Sequence, residues 1–274
     1  MLSKGLGILG IVLVLAIVPA LAQVPSKPVS PQAATVTSAF QHGPMKFHRV
    51  RPDATVESEN WSGYAVTGSS FTNAKASWTV PTVNCSKTPN SYAAFWVGLD
   101  GYSSSTVEQT GTLAYCNGSS AEYYSWYEFY PAGMVEITSV PVSPGNHVYA
   151  QVSYSSSEFT VTLTNETTGK SYSKSSKVSG AKRSSAEWIA EAPCCTGSGG
   201  ILPLADFGTG YFGEDYTDVS GTNYATDSST SGTIGAFGSD VQEIIMASSS
   251  GVDEAVPSAL SSDGTSFTVA WDSE

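Results

Sequence analysis

Two acids and one amide stand on strand-like runs where they could move a proton. In 123–130, Tyr-Tyr-Ser-Trp-Tyr-Glu-Phe-Tyr, period-two alternation puts Glu128 on one face with Tyr124, Trp126 and Tyr130. In 186–191, Glu187 shares a face with Ile189 and Glu191, opposite Trp188, and in 107–111 Gln109 shares one with Val107 and Gly111. A carboxyl buried among aromatics has its pKa tuned by its surroundings, and a glutamine amide can donate to a developing oxyanion while its carbonyl holds a water. For an arbitrary acid on a strand, a water-facing edge position is the commoner reading. Spacing alone does not bring Gln109 beside Glu187.

Other chemistries are poorly supplied. The 274 residues contain 3 His, and His42 and His48 both precede residue 55, so a chain lacking that beginning keeps only His147. This argues against a Ser-His-Asp triad and a His-rich metal site. The net charge is −12, which removes the electrostatic reason to expect nucleic-acid or anionic-membrane binding.

The segments that carry these residues are short alternating runs between Gly-, Ser-, Asn-, Pro- and Thr-rich turns. Phe159, Val161 and Leu163 alternate with threonines, and Thr168-Gly169-Lys170 turns the chain into 172–178, which predicts a hairpin. Similar runs at 76–80, 93–97, 123–130, 147–154, 186–190 and 267–271 predict an all-β protein, an antiparallel β-sandwich. Residues 240–247 read as either a short helix or a strand. Loops are expected at 155–157, 227–232 and 248–251.

Ahead of this pattern, Lys4 precedes an uncharged run from Gly5 to Ala22 that ends in Ala-Leu-Ala. It predicts a secretory signal over 1–22, with no stable membrane association after its removal. Residues 23–58 hold five prolines and little periodicity. Residues 1–54 carry five basic side chains against Asp53 alone, whereas 55–274 carry 7 basic and 23 acidic ones. A basic pro-segment over 23–58, lying on an acidic domain over 59–274 and released when acid neutralises carboxylates, is therefore expected.

In an exported chain, Cys85, Cys116, Cys194 and Cys195 point to disulfides. Four cysteines allow three pairings, of which Cys85–Cys116 is the least strained guess; it would leave the neighbours Cys194 and Cys195 vicinally bridged or free. Asn60, Asn84, Asn117 and Asn165 head glycosylation sequons, a pattern that arises often by chance in a Ser/Thr-rich chain.

Five motifs occur in a telling order: Asn60-Trp61-Ser62-Gly63-Tyr64, 95–101 Phe-Trp-Val-Gly-Leu-Asp-Gly, Glu108-Gln109-Thr110-Gly111, 126–130 Trp-Tyr-Glu-Phe-Tyr and Ala186-Glu187-Trp188-Ile189. From about Asn60 to the C-terminus the chain resembles the glutamic endopeptidases, or eqolisins. The resemblance implies a secreted, acid-acting endopeptidase made as a proenzyme and insensitive to pepstatin. Its fold would be two bent antiparallel sheets with a cleft on the concave face. The implied catalytic pair is Gln109 and Glu187, with Trp96, Glu128, Asp100, Trp126 and Tyr130 as substrate-binding or supporting residues. Polypeptide substrates and its own propeptide are the implied partners, a monomer is implied, and no metal or cofactor is expected. Two positions depart from the family's pattern: Leu113 and Tyr124 stand where acids are usual, which implies a less perturbed catalytic group.

Glu187 would take a proton from a water held with Gln109, the water would attack the scissile carbonyl, and the acid would then protonate the leaving nitrogen. With an unperturbed pKa of about 4.3, a glutamate suits such work in acid. The rival readings are a glycosidase using Glu128 and Glu187 as paired carboxylates, and a lectin-like binding sandwich.

Overall fold

The structure is a computed structural model, and it describes residues 40–195 and 200–273. The expected signal over 1–22 and the pro-segment up to residue 39 lie outside the described residues. Along the chain the strands are β1 (Phe40–Gln41), β2 (Phe47–Val50), β3 (Val56–Ser58), β4 (Trp61–Thr67), β5 (Asn73–Thr79), β6 (Tyr92–Leu99), β7 (Val107–Asn117), β8 (Ser120–Tyr130), β9 (Val135–Glu136) and β10 (His147–Ser155). They continue as β11 (Glu158–Asn165), β12 (Lys170–Ser176), β13 (Ser185–Glu191), β14 (Cys194–Cys195), β15 (Thr209–Phe212), β16 (Tyr224–Thr226), β17 (Ser231–Thr233), β18 (Val241–Ala247), β19 (Asp253–Pro257) and β20 (Phe267–Trp271). Among the described residues, helix is confined to α1 (Glu214–Thr217) and a 3₁₀ segment, Ile234–Asp240.

The expected hairpin is β11–β12, with Phe159 opposite Ser176 and Leu163 opposite Tyr172. The ambiguous stretch at 240–247 is a strand: β18 lies antiparallel to β4 and parallel to β3. Its buried residues, Ile244 to Ala247, run without a break. Such a run carries no period from which helix and strand could be told apart.

Two layers form from one hydrogen-bonded network. The first layer runs β8–β7–β6–β13–β4–β18 and the second runs β12–β11–β10–β5, with β19, β20 and β15 joining them at one side. The main core lies between them. Phe95, Val97, Leu99, Trp188 and Tyr127 of the first layer meet Trp78, Ala76, Val148, Val152, Phe159 and Leu163 of the second. The Cys85–Cys116 disulfide expected from the sequence closes beside this core, with 5.2 Å between the Cα atoms, and Cys194 is a free thiol.

The first layer has a second apolar face, because alternate residues of its strands point away from the core. Trp61, Trp96, Trp126, Leu113, Ile189 and Ile244 cluster there, with Tyr124 and Tyr130 at their margin. On the second layer the outward residues of β11 and β12 are hydroxylated, and they pair across the strands: Thr160 with Ser175 at 2.8 Å, Thr162 with Ser173 at 3.1 Å and Thr164 with Ser171 at 2.8 Å.

Residues 43–58 are woven into the first layer. β2 pairs with β3, β3 pairs with β18, and the fully buried Glu57 receives Arg49 Nε at 2.7 Å together with Arg51.

Candidate active site

The aromatic face of the first layer supplies the floor of the site. Register puts Gln109 of β7 opposite Glu128 of β8 on one side and Gly98 of β6 on the other, and Gly98 in turn faces Glu187 of β13. One row therefore carries both acids and the amide, as alternation predicts for residues that face one another across a sheet. Two glycines make the surface close-packed. A Cβ on Gly111 would lie 2.6 Å from Trp96 Cβ, and one on Gly98 would lie 2.8 Å from Trp96 Cζ3, so the Trp96 side chain settles only because both positions lack side chains.

His42 occupies this face. Its backbone N–H donates to Glu128 Oε2 at 2.8 Å, its carbonyl oxygen accepts from the Gln109 side-chain amide, and its Nδ1 meets Glu191 Oε2 at 2.8 Å. The imidazole stacks on Trp126 with centroids 3.7 Å apart and planes 6° from parallel. Gln109 also donates to Glu128 Oε2 at 3.3 Å. Trp96 Nε1 donates to Glu191 Oε2 at 2.8 Å and Trp61 Nε1 to Glu191 Oε1 at 3.4 Å. Hence Gln109, Glu128, Glu191 and Trp126 converge on His42, Trp96 fixes Glu191 from behind, and the Tyr130 ring packs beside the following residue, Gly43.

Glu187 is differently placed. Although its backbone shares the Gln109 row, no hydrogen bond joins its buried carboxyl to Gln109 or His42 among the described residues. Burial pushes its carboxyl well above the ordinary range. Asp100 and Glu108 add in the same direction, and Ser185 and the Tyr102 amide partly offset them. Asp100 does not reach the site either. It caps the turn into β13, accepting from the backbone N–H groups of Lys182 at 2.8 Å, Arg183 at 2.6 Å and Ser184 at 3.0 Å, and so fixes where that strand begins.

Glu191 is the residue that the sequence reading did not select. Its signal was present, since it stands on the Glu187 face four residues on. What singles it out is the pair of indole donors from β4 and β6, which pattern along β13 cannot reveal.

Electrostatically the site is a set of carboxyls kept from water. Burial raises Glu128 well above the usual carboxylate range, opposed by the His42 amide and reinforced by Glu191. Burial likewise raises Glu191, opposed by the Trp96 and Trp61 donors. Burial takes the His42 imidazole down to about 3, so beneath it the site is short of formal charge.

Away from His42, Glu108 is pushed up to about 8, by burial first and by Asp100 second. A carboxyl whose folded pKa lies above its unfolded one stabilises fully below the unfolded value, about 4.3, and that contribution is lost as pH rises through the folded value. Thermal unfolding followed from pH 3 to pH 9 should therefore show Tm falling as pH climbs from about 4.3 to about 8 and levelling beyond it. The fall should flatten in Glu108→Gln, and a parent Tm that is level or rising over that range would contradict this account.

Among the described residues no group of three or more His, Cys, Asp or Glu side chains is arranged to hold a metal ion.

Comparison with known proteins places this geometry in context. The profile described as Peptidase A4 family matches residues 59–265. Scytalidopepsin B from Scytalidium lignicola is 33% identical over 177 residues, which are 62% of this chain and 66% of that relative, so the alignment spans just under two thirds of the relative's length. The crystal structure of scytalido-glutamic peptidase with a transition state analog inhibitor superposes with a TM-score of 0.65 at 27% identity, covering 78% of this chain and 98% of that one. The eqolisin SCP-B in complex with the tripeptide Ala-Ile-His superposes with a TM-score of 0.62 at 28% identity, again covering 78% and 98%.

Proposed function

Because the chain belongs to the Peptidase A4 family, we propose that it is a secreted, acid-acting endopeptidase that hydrolyses polypeptides as a monomer without a cofactor, and that it is made with an inhibitory leader. The observation that carries this reading is a peptide carbonyl resting on the Gln109 amide while carboxyls of Glu128 and Glu191 hold the same residue. An amide donor at a carbonyl oxygen is what a tetrahedral oxyanion requires, and an acid within reach is what an attacking water requires. The inhibitor and tripeptide seated in the related structures support a peptide as the ligand of this cleft.

In this reading Gln109 polarises the scissile carbonyl and stabilises its oxyanion. Glu191 is assigned as general base and acid in place of Glu187, because Glu191 meets the bound peptide and is oriented by two indoles. Glu128 orients the Gln109 amide and receives the substrate N–H. Trp126 offers a flat wall to a substrate side chain. Burial beneath His42 raises the Glu191 carboxyl; once water reaches it, its pKa falls back toward the ordinary carboxylate range, in which a base can be ionised in acid and still return its proton.

The test is to acidify the full chain to pH 3–4 with a denatured protein and follow its digestion in the presence of pepstatin. Digestion under these conditions and none at pH 7 is expected. Cleavage of a polysaccharide with the protein left whole would favour the carbohydrate reading.

A further inference from the structure

The peptide that fills the cleft belongs to the chain itself, and its placement identifies a bond. We propose that His42–Gly43 is the bond this protein cuts in itself to become active, and that the His42 imidazole is the latch that delays the cut. The inference rests on the peptidase reading above and adds the substrate bond and its control.

The backbone of His42 is already set for attack. Its N–H lies on Glu128 and its carbonyl on Gln109, and neither contact involves the side chain. The ring, by contrast, lies where a reacting water would have to be. Nδ1 is 2.8 Å from Glu191 Oε2, the oxygen that Trp96 also fixes, and the ring is fully buried against Trp126. With the base engaged by an imidazole, no proton can be taken from water. Rotation of the ring off Glu191 would free that oxygen and leave the carbonyl on its donor. Water then adds to the His42 carbonyl carbon, Glu191 accepts one of its protons and passes it to the Gly43 nitrogen, and the C–N bond breaks, giving a carboxyl on His42 and an amine on Gly43.

The anchoring on either side of the bond fits a cut at this point. Downstream, the chain is held by the sheet: Met45 N–H donates to Gly101 O at 3.1 Å, Lys46 N–H to Asn60 Oδ1 at 2.7 Å, and β2 and β3 are paired onward to β18. Upstream, among the described residues, β1 pairs only with β14. Scission after His42 would therefore leave the pairings of β2 and β3 in the first layer intact. Scission at Ser58 would ask β2 and β3 to leave their places beside β18.

The experiment is a time course of the full chain at pH 3.5, read by intact mass and N-terminal sequencing, with a denatured protein added in parallel. A first new N-terminus at Gly43, appearing at a rate independent of protein concentration, is expected. His42→Ala should bring it forward at least tenfold, because the carbonyl contact stays and the base is vacant. Gly43→Pro should remove that cut, since the scissile nitrogen becomes a proline. A first N-terminus elsewhere, for example at Glu59, with normal digestion of the added protein would overturn this inference and leave the peptidase reading standing. Neither self-cleavage nor digestion would overturn both. A His42→Ala chain that processes at the parent rate or more slowly would remove the latch.

Discussion

Gln109→Ala is expected to lower kcat on a peptide substrate by about 10²- to 10³-fold with little change in KM, the size of effect seen when one oxyanion donor is lost. The reason is local. Gln109 is fully buried, its amide nitrogen serves a peptide carbonyl and Glu128, and its own carbonyl oxygen has no partner among the described residues. Truncation therefore removes one donor aimed at a reacting oxygen and disturbs no wider network. Since the variant cannot cut its own leader efficiently, its leader should first be removed in trans by a trace of active parent enzyme, with that background subtracted. The same variant separates the rival chemistry: a glycosidase working with two carboxylates has no use for the amide and would keep its activity. Peptidase activity within tenfold of the parent would remove Gln109 from the mechanism.

Glu191→Gln is expected to be at least as damaging, about 10³-fold or more, whereas Glu187→Gln should stay within a few-fold of the parent. General acid–base groups contribute about 10²- to 10⁴-fold, and here one residue has both roles. Glutamine at 191 keeps an oxygen to accept from Trp96 Nε1, so the fold around it is preserved and the loss reports on the proton. At 187 the parent carboxyl is held protonated by burial, and an amide of the same shape replaces a neutral group with a neutral group. Steady-state rates on one peptide, measured for both variants after removal of the leader, decide the assignment. If Glu187→Gln is inactive and Glu191→Gln is active, the roles proposed here must be exchanged.

Much of the fold was legible because period-two alternation reports directly which side of a strand faces a core. Glu128 beside Trp126, and Glu187 with Ile189 and Glu191 opposite Trp188, are found on the faces that the sequence indicates. The Cys85–Cys116 bond was one of three pairings open to four cysteines, and alternation had no part in choosing it. Two features were out of reach for a physical reason. Which of two acids on one face meets the bound peptide depends on indoles from β4 and β6, contributed 130 and 95 residues away. The place of 43–58 in the sheet depends on β18, nearly 190 residues downstream, and composition there signals proline and charge instead of pairing. A run of prolines and basic residues reads as a linker, yet Arg49 and Arg51 are the counterions of the buried Glu57.

The threonine–serine pairs across β11 and β12 bear on where such a molecule can work. Hydroxyls neither gain nor lose a proton over the range in which carboxylates do, so the cohesion of this solvent-facing layer is indifferent to acidity. A layer laced by lysine–glutamate contacts would loosen as each glutamate was neutralised; these hydroxyl pairs give acid nothing to titrate. Only 13% of the chain is charged, against roughly a quarter in ordinary globular proteins, so the same economy extends over much of the exterior.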